Sequence, residues 1–256
     1  MPERSRMPEK RRLDTRWLVL GAIAAVALVL NFQSFQSFDY LRILGVLMRF
    51  AILFPAIILH EVSHGYVAYL LGDPTAKRMG RLTLNPIAHI DPIGTIVMPL
   101  ALLFLSGGAF FFGYAKPVPF NPRNFKDERT GMLLTGIAGP VTNIVLAIVF
   151  GFASRFFVVP GGMWDMTSFN SVAAFLLYFC FANLMLAFFN LVPIPPLDGS
   201  RVLQWLLPDS LRDAYHSLER FGFFIIIGLT WFVPGIFNAY LGVTVWPIFS
   251  LITGVR

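Results

Sequence analysis

Several stretches of this sequence stay apolar for about the thickness of a lipid bilayer, and that constrains most of what the chain can fold into. Residues 50–71, "FAILFPAIILHEVSHGYVAYLL", make about 33 Å of helix at 1.5 Å per residue. A spanning helix needs roughly 20 such residues. Of the 256 residues, 56% are hydrophobic and 13% charged, against about 25% charged in an ordinary soluble domain. A soluble chain of this length could not bury so many apolar runs in one core. The sequence therefore predicts an all-α polytopic membrane protein.

Runs at 17–30, 50–71, 93–112, 132–158, 171–191, 221–233 and 236–252 give about six spans. Residues 1–16 form a basic tail. The run after it lacks a small-residue cleavage site, so it reads as an uncleaved first helix. Residues 17–256 read as one membrane-embedded domain without repeats. The net charge of +6 does not point to nucleic acid, because the positive residues sit in the tail and in short loops, where membrane topology is encoded. With the tail inside, Lys77, Arg78 and Arg81 also fall inside. Keeping the basic 116–129 loop on that side requires 93–112 to dip in and return at its Gly107-Gly108 break, since shielded non-helical backbone is tolerated at membrane depth. Alternation across Arg81, Leu82, Thr83 and Leu84 predicts a short membrane-associated β-strand just after the 50–71 helix. The lone cysteine, Cys180, lies in an apolar run and reads as a small core residue.

Polar chemistry interrupts the 50–71 run at His60, Glu61 and His64. On a helix the two imidazoles point within about 40° of each other, so they can share a metal. The neighbouring carboxylate can reach a water there, which is the mechanical content of H-E-x-x-H. A Glu in mid-span is costly and generally lies where it functions. A catalytic zinc usually takes a third protein ligand. His89, His216 and the aspartates are candidates; Asp198, in "FNLVPIPPLDGSRVL", is the most suggestive. The prolines before it forbid regular helix and leave a carboxylate on a turn near the membrane face.

"HEVSHG" in one span, "AGPVTN" (138–143) in a second and "NLVPIPPLDG" (190–199) closing a third together resemble the site-2 protease family of intramembrane zinc metalloproteases. The resemblance covers about residues 50–205 and matches the compact bacterial and archaeal forms without PDZ or CBS domains. It implies a three-helix core with one Zn2+ per chain on His60, His64 and Asp198, and Glu61 as catalytic base. It implies a multi-pass protein of a prokaryotic cell membrane with a cytoplasmic N-terminus, cutting membrane-spanning protein substrates, with a regulatory partner as a further possibility. Asn143 and Asn190 are candidates for binding substrate backbone or an oxyanion. Arg81, Leu82, Thr83 and Leu84 are candidates for receiving an unwound substrate by edge addition. Two other classes compete. A metal-ion transporter would show flux without cleavage, though no inverted repeat is apparent. An inactive protease-derived scaffold is opposed by the intact Glu61.

Overall fold

The computed structural model describes residues 40–105, 113–157, 172–232 and 234–255. Their regular elements are all helical, with no strand among them. Helix α1 (Tyr40–Leu70) ends in a Schellman turn. Gly72, at φ 106°, donates its N–H to Tyr69 O at 3.1 Å, and Asp73 donates to Ala68 O at 2.9 Å. Only a residue without a Cβ takes that left-handed conformation cheaply. A short helix α2 (Thr75–Arg78) follows.

A wide π-type turn over Pro92–Val97 then leads into α3 (Met98–Leu105). Helix α4 (Glu128–Ser154) starts at an Asp127 cap, and α5 (Val172–Asn190) follows it. Short helices α6 (Gly199–Leu206) and α7 (Asp209–His216) lead to α8 (Glu219–Phe232) and α9 (Pro234–Thr253).

Three of these helices are long and apolar enough to cross a bilayer: Gly45–Leu70, Glu128–Ser154 and Val172–Asn190. The expected six spans are not reproduced among the described residues. The 14 residues of α8 reach about 21 Å, short of the roughly 30 Å hydrocarbon core. Other apolar helical stretches, Pro92–Leu103 and Asn238–Thr253, are also shorter. The expected first helix at 17–30 lies outside the described residues.

Helix α4 is the hub because a stripe of small residues winds along it, meeting α1 at Gly139 and α5 and α9 at Gly151. Gly131, Thr135, Gly139, Asn143, Ala147 and Gly151 recur every fourth residue, and all are buried. Small side chains in register let neighbouring helices approach closely, which is how helices associate where lipid offers no hydrophobic contrast. A Cβ on Gly151 would lie 2.8 Å from Cys180 Sγ, so the Cys180 side chain of α5 rests directly on the α4 backbone there. Ala147, Leu177, Cys180, Leu184, Leu241, Val245, Phe249 and Ile252 form one buried cluster joining α4, α5 and α9. Cys180 is thus the core residue the sequence predicts. At the far end, Arg155 Nε donates to Ile252 O at 2.7 Å, tying the end of α4 to the end of α9.

Cross-helix contacts fix the relative directions. His60 meets Asn143 while His64 meets Thr135, so α1 and α4 are antiparallel. Asn143 meets Asn183 and Gly151 meets Cys180, so α5 runs antiparallel to α4 and parallel to α1.

The predicted strand at 81–84 is not formed. Arg81 is turned inward onto the carbonyls of Ala88, Lys116 and Pro117. The Thr83 hydroxyl accepts from Asn85 N–H at 3.2 Å, and the Thr83 carbonyl bonds His89 Nε2 at 2.8 Å. Local side-chain bonds of this kind compete with a ladder, and the chain bends into a 3-10 turn at Pro86–His89. The Gly107-Gly108 break lies outside the described residues, but the flanks of that stretch lie side by side. Tyr114 N–H donates to Gly94 O at 3.1 Å and the Thr95 hydroxyl to Tyr114 O at 2.8 Å.

Candidate metal centre

His60 and His64 lie one turn apart on α1, with ring planes at 85° and centroids 4.7 Å apart. That crossing turns both Nε2 atoms toward one point, 3.1 Å from each other. The loop after α5 brings Asp198 to the same point. Its Oδ2 lies 3.1 Å from His60 Nε2 and 3.3 Å from His64 Nε2. Among the described residues this is the group of three His, Cys, Asp or Glu side chains placed to hold a metal.

Hydrogen bonds behind the rings set which atoms face inward. His64 Nδ1 lies 2.6 Å from the Thr135 carbonyl, which can only accept, so Nδ1 carries the proton and Nε2 offers a lone pair. His60 Nδ1 lies 2.5 Å from Asn143 Oδ1. Asn143 Nδ2 donates to Asn183 Oδ1 at 2.8 Å, and Asn183 Nδ2 donates to Phe179 O at 2.8 Å. The last acceptor is a carbonyl, so every amide in this chain has one possible orientation. His60 Nδ1 must donate, and its Nε2 also presents a lone pair.

Two imidazole lone pairs and a carboxylate oxygen therefore face one another in a buried space. Asp198 Oδ2 is buried and accepts no hydrogen bond. Unscreened, that set is repulsive; a cation makes it cohesive. Metal–ligand bonds of 2.0–2.1 Å in a tetrahedral site put donors about 3.3–3.4 Å apart, close to the 3.1–3.3 Å found here. Second partners that fix histidine tautomers are a regular feature of metal sites. The donor set fits a zinc-sized ion.

The turn that presents Asp198 is built by close backbone approach. A Cβ on Gly199 would lie 2.1 Å from Leu191 O, so Gly199 lets the 191–198 loop close on itself. A Cβ on Gly136 would lie 2.7 Å from Arg201 Cβ, which lets α6 sit against α4.

Comparison with known proteins decides the lineage. Residues 158–229, the segment containing Asp198, match the model for "Peptidase family M50". "Putative zinc metalloprotease YwhC" of Bacillus subtilis is 42% identical over 172 residues, 67% of this chain and 74% of that protein. The chain belongs to peptidase family M50, the site-2 proteases. It is a membrane zinc metalloprotease. "Putative zinc metalloprotease Rip2" of Mycolicibacterium smegmatis is 29% identical over 212 residues, 82% of this chain and 74% of that protein. "Zinc metalloprotease MJ0392" of Methanocaldococcus jannaschii is 30% identical over 159 residues, 62% of this chain and 34% of that protein. No solved structure matches.

The other expected site residues of this M50 chain make separate contacts. Glu61 Oε2 accepts the Val118 N–H at 3.1 Å. Asn143 is fully buried behind His60 rather than beside an open face. Asn190 Nδ2 donates to Leu186 O at 2.9 Å, within its own helix. Arg81 is buried among carbonyls, and Leu84 is 62% exposed. Leu82 packs toward α1, where a Cβ on Gly65 would lie 2.8 Å from its Cδ2. Thr83 holds His89, which is buried and stands apart from the metal group. His216 lies in α7.

Sequence reasoning missed Asn183 and Val118. Asn183 carried a signal, an amide inside the apolar α5, where polar residues are costly and need partners. Val118 acts through its backbone and carried none.

Outside the bilayer-length helices, Asp73 ties the end of α1 to the segment entering α4. Its carboxylate accepts from Thr75 Oγ1 at 2.5 Å, Thr75 N–H at 3.1 Å, Asn121 N–H at 2.6 Å and Asn124 Nδ2 at 2.6 Å. Burial pushes this carboxyl up, but the bonds from Thr75, Asn121 and Asn124 outweigh it and hold it below its ordinary value.

Proposed function

We propose that the chain hydrolyses peptide bonds of membrane-spanning proteins at a site below the membrane surface, with zinc on His60, His64 and Asp198 and Glu61 as the base. The observation that carries this reading is the convergence of the two Nε2 atoms and Asp198 Oδ2 within 3.1–3.3 Å of one another. Its depth supports the intramembrane part. His60 lies ten residues from Leu70, about 15 Å along α1, and Thr135 lies seven residues from Glu128, about 10 Å along α4.

Zinc, when bound, supplies a Lewis acid that acidifies water and polarises a carbonyl oxygen. The chain supplies the proton handling. Glu61 takes a proton from the attacking water and delivers it to the departing amine, so the carboxylate ends the cycle as it began. The Nδ1–H bonds to Asn143 and Thr135 keep both rings in the tautomer that presents Nε2.

The end of α1 that carries Lys77, Arg78 and Arg81 is read as cytoplasmic on the positive-inside rule. The neighbouring flanks at Gly94 and Tyr114 support the reading that 93–112 dips and returns on that side. The substrate is a transmembrane segment that unwinds at the site, in a multi-pass protein of a prokaryotic cell membrane.

The test is elemental zinc analysis of detergent-purified protein, paired with cleavage of a panel of single-span reporter fusions. The expected result is about one zinc in wild type, a large loss in Asp198→Ala, and cleavage abolished in Glu61→Gln with zinc retained. Zinc unchanged in Asp198→Ala, or full cleavage by Glu61→Gln, would sink the assignment.

A further inference from the structure

The segment 113–125 crosses the inner end of α1 as an extended strap fastened at both ends. At its start Tyr114 bonds Gly94 and Lys116 N–H donates to His89 O at 2.9 Å. At its far end Asn121 and Asn124 bond Asp73. Between them runs Lys116-Pro117-Val118-Pro119. Neither proline has an N–H, so Val118 supplies the one backbone donor between Lys116 and Phe120. That donor goes to Glu61 Oε2 at 3.1 Å. Val118 is buried, and α1 receives it at a residue without a side chain: a Cβ on Gly65 would lie 2.5 Å from Val118 Cγ1.

Arg81 fixes the height of this strap. Its NH2 donates to Lys116 O at 2.7 Å and Pro117 O at 3.2 Å, and its NH1 to Ala88 O. Arg81 is buried, at 7% exposure, and its guanidinium pairs with no carboxylate among the described residues. A buried charge bonded to carbonyls of two separate segments is a costly device unless the alignment matters. A planar fork can serve carbonyls from two directions at once, which an ammonium on a flexible stem does poorly.

We infer that Arg81 is a positioning residue for the protease reaction: by clamping the Lys116 and Pro117 carbonyls it aims the Val118 N–H at Glu61 and holds one carboxylate oxygen in place. This rests on Glu61 being the base. It replaces the expected substrate-binding role of Arg81 with one behind the reacting groups. An aimed carboxylate reaches its water in a narrower range of geometries, which is where orientation contributes to rate.

The test needs no substrate for its first half. Val118 carries the one exchangeable amide of residues 117–119, so hydrogen–deuterium exchange of a peptide across the strap reads it directly. Glu61→Ala removes its acceptor and Arg81→Lys loosens its clamp. In each, Val118 is expected to exchange about tenfold faster, the weight of one hydrogen bond. In the second half, Arg81→Lys is expected to keep wild-type zinc and KM while kcat on a cleaved reporter falls roughly 10–100-fold, as for other outer-shell partners. Replacing the Val118 amide by an ester with 2-hydroxyisovaleric acid deletes the N–H alone and is expected to lower kcat likewise. Unchanged Val118 exchange in Arg81→Lys, zinc lost in step with activity, or a fully active ester variant each overturns the inference. Should Arg81→Lys fail to fold, the ester decides. Full cleavage by Glu61→Gln fells the base assignment instead, whereas a dead Glu61→Gln beside an active ester fells this inference alone.

Discussion

Gly139 leaves His64 the space its donor nitrogen occupies: a Cβ built on Gly139 would lie 2.5 Å from His64 Nε2 and 2.5 Å from His60 Nε2. The missing side chain on α4 is therefore part of the metal site. Gly139→Ala is expected to displace both imidazoles and bring zinc per chain well below wild type. Alanine is the better helix former by about 1 kcal/mol, so α4 itself should not be weakened by propensity. Zinc analysis beside helical circular dichroism checks this; normal zinc in Gly139→Ala would show that the rings adapt.

The relay behind His60 predicts a graded effect. Asn143→Ala removes the acceptor that fixes the His60 tautomer, while Asn183→Ala removes only the group that orients Asn143. Zinc affinity is expected to fall roughly 10–100-fold in Asn143→Ala and by less in Asn183→Ala. Their combination should be little worse than Asn143→Ala alone, because the second residue acts through the first. Competition against a chelator of known affinity measures all three. Additive losses would separate the two residues.

What could be read from the sequence follows from where each signal resides. His60, Glu61 and His64 lie within one helical turn and are legible by spacing alone. Asp198 needs the family pattern, because its approach to the histidines depends on how α5 ends and the 191–198 loop folds back. The alternation at 81–84 misleads: it marks Arg81 as a strand residue when its side chain points inward to carbonyls. Hydropathy also takes 221–233 for a span, and among the described residues α8 covers 14 residues there. Val118 is invisible because what it contributes is a backbone N–H, present at nearly every position.

Asp73 predicts a pH signature at the end of α1. Its carboxyl is held below its ordinary value, so its charged form stabilises the fold. That contribution is complete above the unfolded carboxylate range, near about pH 4, and is lost as pH falls through the lower folded value. Asp73→Asn puts an amide where Thr75, Asn121 and Asn124 all donate. It is expected to cost about 1–3 kcal/mol at neutral pH, with the gap to wild type narrowing below about pH 4. Thermal unfolding in detergent across that range checks both halves. A gap that widened on acidification would reverse the sign and exclude the bonding described.

Gly222 predicts that the metal site depends on α8, which contributes no ligand. A Cβ on Gly222 would lie 1.8 Å from Pro195 O, so α8 rests against the loop that carries Asp198. Tyr215 OH donates to Pro193 O at 2.9 Å, holding the same loop, and Arg201 NH1 pairs with Glu219 at 3.3 Å, joining α6 to the start of α8. The clash in Gly222→Ala is with backbone, so the loop or the helix must move. Asp198 is expected to shift from the 3.1–3.3 Å spacing to the histidines, which bound zinc would resist only in part. Zinc affinity should drop while the buried α4–α5–α9 cluster, which includes neither Gly222 nor Pro195, keeps those three helices together. Chelator competition alongside thermal unfolding separates the outcomes. Weaker zinc with near-normal unfolding places α8 as a support for Asp198, and unchanged zinc affinity would show that the loop holds its shape alone.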